Sequence, residues 1–117
     1  MVEDKLIEIL ETFEYPVRRQ GSFASVDDYP DSFFTYWNNA SDDSAHYNNN
    51  EVGIVWYFDV NFYSNDVEKT YSVLNDAIKA LKNKGFIISG RGHDMPSGTI
   101  THTGRGIEAK YLECLGG

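Results

Sequence analysis

The sequence has 117 residues, a formal net charge of −8, and 41% hydrophobic and 24% charged side chains, a length that predicts one domain with its own core and no need of disulfide staples. Ten Gly, three Pro and 15% aromatic residues exclude collagenous, low-complexity and disordered chains, and no apolar run approaches the ~18 residues that cross a membrane. Eighteen acidic against ten basic residues weigh against a grip on nucleic acid, which requires clustered Lys and Arg at the phosphates. Met1-Val2-Glu3-Asp4-Lys5-Leu6 is acidic and amphipathic, not basic and then apolar as a secretory signal is, so a cytosolic protein is expected. Cys114 is the single cysteine. It rules out an intrachain disulfide or a thiolate metal cluster within one chain, and reads as a small apolar side chain.

In chain order, residues 2–13 read as an amphipathic helix. Val2, Leu6, Ile9, Leu10 and Phe13 form one stripe of a 3.6-residue period, with Glu3, Asp4, Glu8 and Glu11 opposite. Pro16 is expected to stop it. Residues 17–22 read as a short strand carrying Arg18 and Arg19, residues 27–31 as a turn, and residues 32–37 as a buried aromatic strand. Residues 38–50 hold five Asn and two acids and read as a long polar loop, of a kind that tends to serve function. Residues 51–63 alternate strictly. Val52, Ile54, Trp56, Phe58, Val60 and Phe62 make one apolar face, and Gly53, Val55, Tyr57, Asp59, Asn61 and Tyr63 a mixed one. A strand about 40 Å long follows, projecting as a hairpin arm with residues 32–37 and carrying the Asn-rich loop at its tip.

Ser64-Asn65 followed by Glu68 reads as the capping box of a second helix. Val67, Tyr71, Leu74, Ile78 and Leu81 give its apolar stripe; Lys79, Lys82 and Lys84, then Gly85, mark its end. Residues 86–89 read as a strand, 90–104 as a Gly-rich connection, and 107–115 as the last strand, with Ile107, Ala109 and Tyr111 on one face. The order α-β-β-β-α-β-β predicts an α+β domain, a mostly antiparallel sheet with two helices packed on one face.

Chemistry is thinly represented. His46, His93 and His102 lack the i, i+4 or paired spacing of metal ligands, and Asp42-Asp43 lacks the alternating oxygens and closing Glu of a calcium loop; no metal and no cofactor is expected. Gly104-Arg105-Gly106-Ile107-Glu108-Ala109 matches the dinucleotide pattern G-x-G-x-x-A, but no strand–turn–helix unit follows it, so the glycines read as a loop entering the last strand. Arg91-Gly92-His93-Asp94 sets a base beside an acid, yet neighbours on a strand or loop seldom converge on one substrate, and no nucleophile–base pair stands out. A non-enzymatic protein is expected. Aromatic residues beyond the needs of a small core point to protein–protein contact, against the plainer alternative that all of them fill one monomeric core.

Tyr29-Pro30-Asp31-Ser32-Phe33-Phe34-Thr35-Tyr36-Trp37-Asn38-Asn39, the strand Trp56 to Ser64, and Thr101-His102-Thr103-Gly104-Arg105-Gly106 resemble small prophage proteins of Gram-positive bacteria from the head–tail joining and tail-completion region of long-tailed phages. The resemblance spans the first helix to Glu113, and its motifs carry no catalytic meaning. It implies a tail-terminator (tail-completion) protein of α+β fold. Such a protein acts as a hexameric ring in the host cytoplasm during assembly and then at the head-proximal end of the virion tail. Its partners would be further copies of itself, the tail tube protein and the head connector or stopper. An acidic lumen would let DNA pass without sequence-specific binding. Within that frame the arm and loop are expected to reach a neighbouring subunit or the tube through Asp42, Asp43, His46, Tyr47, Tyr57 and Tyr63. Arg91 and Arg105, flanked by glycines, are expected to meet carboxylates of the next protomer. The alternatives are a head-completion (stopper) protein or an assembly factor absent from the virion, and, separately, a stand-alone binding module, which a deep apolar pocket would favour.

Overall fold

The amphipathic stripe at the amino terminus folds as helix α1, Val2–Glu11, with Val2, Leu6, Ile9 and Leu10 buried. In this computed structural model residues 2–19, 30–43, 46–47, 50–51, 53–96 and 101–114 are described. The helix ends earlier than Pro16 requires. The amides of Thr12, Phe13 and Glu14 each bond three residues back, to Ile9, Leu10 and Glu11, tightening the last turn. Glu14 then turns the chain with φ 66°.

The sheet runs β1 (Val17–Arg19), β2 (Ser32–Asp43), β5 (Gly53–Ser64), β8 (Thr103–Cys114) and β6 (Ile87–Ile88), with β7 (His93–Met95) also against β8. Every pairing is antiparallel except β1 with β2, which is parallel. The expected α+β architecture is therefore present. Of residues 17–22, only Val17–Arg19 is seen as strand; residues 20–29, most of the expected turn, lie outside the described residues.

The apolar face of the central strand is the face the helices cover. Phe58, Val60 and Phe62 are buried in one cluster with Phe34 and Tyr36 of β2, Ile107 and Ala109 of β8, the stripe of α1, and Leu74, Ala77, Ile78 and Leu81 of α2 (Val67–Asn83). Phe34 and Phe62 meet at 4.8 Å between ring centroids, and Tyr15 lies edge-on to Phe62 at 5.2 Å. Each such side chain contributes about 1.5–3 kcal/mol on burial, so this layer fixes how the sheet and helices stack.

Helix α2 is bounded differently from the expected capping box. Its N-cap is Asp66, whose carboxylate accepts the Glu68 amide at 3.0 Å, while the Ser64 hydroxyl accepts the Asp66 amide one step earlier. Val67 and Tyr71, expected inward, are exposed; Thr70 and Ala77 are buried in the helix instead. At the far end Gly85 takes φ 99°, its amide bonds to Lys82 and the Phe86 amide to Leu81. This left-handed cap satisfies the last carbonyls and returns Phe86 to the core.

Residues 38–50 are largely strand, not loop. Strand β2 continues to Asp43, pairing Ala40 with Tyr57 and Asp43 with Ile54 after a bulge at Asn39, and His46–Tyr47 (β3) pairs with Asn50–Glu51 (β4). Asn, Ser and Asp are poor strand formers alone, but pairing with the β-favouring Ile54 to Tyr57 recruits them, since strand preference is decided largely by cross-strand neighbours. The hairpin arm thus gains β8 as a third strand, and the molecule measures 53 × 27 × 22 Å.

Candidate functional site

Strand register sorts the face away from the helices into rows. At the base, Phe33, Tyr63, Gly104 and Met95 lie side by side, followed by Thr35, Asn61, Gly106 and His93. Next come Trp37, Asp59 and Glu108, and then, toward the arm, Tyr57, Lys110 and Ile87, with Val55 and Leu112 beyond. The base is closed: Tyr63 is 8% exposed and stacks on Phe33 at 5.3 Å. His102 lies over Phe33, its Nε2–H donating to the Pro30 carbonyl at 2.8 Å and its Nδ1 hydrogen-bonded to the Thr101 hydroxyl. Nε2 is the donor because a carbonyl can only accept.

The glycines of the G-x-G pattern belong to β8 and not to a loop. A Cβ at Gly104 would stand 2.5 Å from the Tyr63 ring, and one at Gly106 would collide with the Asn61 amide. Their absent side chains are the space those two residues fill. Arg105, between them, points to the helix side. Its guanidinium stacks on Tyr71 at 4.2 Å and donates to Asp94 at 2.8 Å, beside an open cleft of about 360 Å³ that includes Thr70, Met95 and His102.

Toward the arm the face opens. Trp37 is 45% exposed, Leu112 48% and Ile87 59%; Trp37 shares a row with two carboxylates, Asp59 and Glu108, directly opposite on neighbouring strands, while Ile87 and Leu112 lie one and two rows further toward the arm. Like charges so placed repel. Partial burial, then Glu108, raises the Asp59 carboxyl above its ordinary 3.8; His93 and a hydrogen bond from the bulge residue Asn39 oppose the shift only in part.

A second surface lies behind the sheet edge. Strands β6 and β7 are two halves of one edge strand: Ile88 pairs with Ala109 and His93 with Gly106, leaving residues 89–92 opposite only Ile107 and Glu108. Gly90 (φ 78°) and Gly92 (φ 99°) let this bulge swing toward α2, where a Cβ on Gly92 would press on Leu74. The result is an open cleft of about 310 Å³ between the bulge and α2, lined by Asn75, Ile78, Lys79, Lys82, Gly90 and Arg91. Among the described residues, Lys79, Lys82 and Arg91 make no side-chain hydrogen bond or ion pair.

Of the expected interface residues, Asp42 and Asp43 lie on the outer part of β2 and His46 and Tyr47 form β3, at the arm's end. Tyr57 is on the open face with the Lys110 ammonium 5.7 Å from its ring, and Arg91 is exposed on the bulge. Tyr63 is buried within the chain, and Arg105 spends its charge on Asp94 of the same chain. Sequence reading passed over Asp59, Glu108, Lys79 and Lys82. The available signal was an acid in each of two strands, where acids are depleted. Among the described residues no group of three His, Cys, Asp or Glu could hold a metal ion, and no helix is long and apolar enough to cross a membrane. No protein-family model matches the chain, and no curated protein matches it.

Proposed function

We propose that this chain is a structural component of a phage tail, a terminator that caps the tail tube as a ring and presents a docking surface to the head connector. The observation that carries the reading is the three-stranded arm with Trp37, Leu112 and Ile87 exposed around its root. Large apolar side chains gathered on one sheet face suit a subunit that is covered in an assembly. The sequence resemblance supplies which assembly. In a ring each subunit uses two different surfaces, one for each neighbour, and the contact closes by rotation. No covalent chemistry is assigned to any side chain. The test is electron microscopy of tails assembled without this protein. Tubes of uncontrolled length are expected; tubes of normal length that fail only to join heads would favour a stopper.

A further inference from the structure

We infer that the cleft of Lys79, Lys82 and Arg91 receives the Asp59–Glu108 pair on the open sheet face of a second copy of this chain. The inference rests on the ring reading and names its two complementary surfaces. A chain with eighteen acids and ten bases has carboxylates to spare for its cations, yet these three line one cleft without an intrachain partner among the described residues. The other half is only partly compensated. Asp59 and Glu108 face one another across neighbouring strands, and the partial burial of Asp59 and the nearness of Glu108 disfavour its charge, with His93 and Asn39 only a partial counterweight. Lys110 shares that face but lies toward Tyr57. Incoming cations would relieve this repulsion, and exposed Trp37 would be covered by the same contact.

The two surfaces do not coincide. One is on the side of the sheet away from the helices; the other is between α2 and the edge bulge. A contact joining them is heterologous, the kind that propagates from subunit to subunit. Duplex DNA is the competing occupant of a cationic cleft, but the acidic surplus of the chain would repel its backbone.

The experiment is a charge exchange. Lys79→Glu/Arg91→Glu reverses the cleft and Asp59→Lys/Glu108→Lys reverses the face. Native mass spectrometry over a concentration series, alone and with tail tubes, reads association. Each variant alone is expected to associate at least about tenfold more weakly than wild type, since it sets like charges against one another. An equimolar mixture is expected to recover assemblies that alternate the two variants. Wild-type association by either variant, or no recovery on mixing, overturns the inference. Binding of a short DNA duplex by wild type that Lys79→Glu/Arg91→Glu abolishes would overturn it in favour of nucleic acid. Should the lysine variant fail to fold, Asp59→Asn/Glu108→Gln removes both charges at equal size and must still weaken association. Tail length separates the two readings: if charge-exchange variants fully restore length control lost without the protein, the terminator reading stands and this pairing falls. If wild type associates neither alone nor on tubes and length is unaffected by its loss, both fall.

Discussion

Gly104 shows how a pattern that resembles a cofactor motif is explained by packing alone. Its missing Cβ is the space in which the Tyr63 ring lies against β8. Gly104→Ala forces that ring off Phe33, and overpacking of this kind costs about 1–3 kcal/mol; a urea midpoint unchanged from wild type would refute it. Asp59 makes the opposite case, a side chain that weakens the fold. The folded chain holds its carboxyl protonated to higher pH than the unfolded chain does, so its contribution is fully present in acid and is lost as pH rises through the shifted range. Asp59→Asn is therefore expected to be more stable than wild type at neutral pH, with the advantage vanishing well below 3.8, where both side chains are neutral. Urea unfolding at both pH values checks this; the same gain at each would show that the charge is not the cause. Arg105 was expected to meet a carboxylate of a neighbour; within the chain it already meets Asp94, and alternation in β8 explains its direction. Residues 104 and 106 face the open side, so 105 must face α2, where Tyr71 and Asp94 wait.

Among the elements, α2 was readable because its interior obeys a simple period, whereas its first turn was ambiguous. Ser64, Asn65 and Asp66 are all competent caps; the pairing of Ser64 with Ser32 and Thr103 holds Ser64 in strand and leaves the cap to Asp66. Asp66→Ala should cost about 0.5–2 kcal/mol. Gly85→Ala should cost about 1–2 kcal/mol, because an L side chain at φ 99° is strained. Thermal melts of both variants, compared with an exposed control such as Lys69→Ala, read these losses. The edge strand split at residues 89–92 could not be foreseen. Its two halves are too short to carry a period, and they are aligned only by the hydrogen bonds β8 offers.

At the level of the molecule, core and arm separate cleanly. The buried layer begins at Phe58 on β5, and Trp56 beyond it is only partly covered, stacking on Phe58 and donating to Glu113 at 3.3 Å. Replacing residues 42–55 by Asn-Gly, which joins Ser41 to its partner Trp56, removes no member of the buried apolar cluster and is expected to leave the domain folded with only a modest fall in melting temperature. The same variant is expected to lose control of tail length. A large fall in melting temperature would show instead that the arm supports the core. Strict alternation over residues 51–63 and two amphipathic stripes were enough to state an α+β domain with both helices on one face of a sheet, because burial of apolar surface follows the local period whatever the chain does elsewhere. Three things depended on contacts between separate segments: the recruitment of residues 38–43 into β2, the opposition of Asp59 and Glu108, and the meeting of Arg91 on the edge bulge with Lys79 and Lys82 on α2. Register and the path of a bulge set which charges become neighbours, and neither is written in the spacing of any one segment.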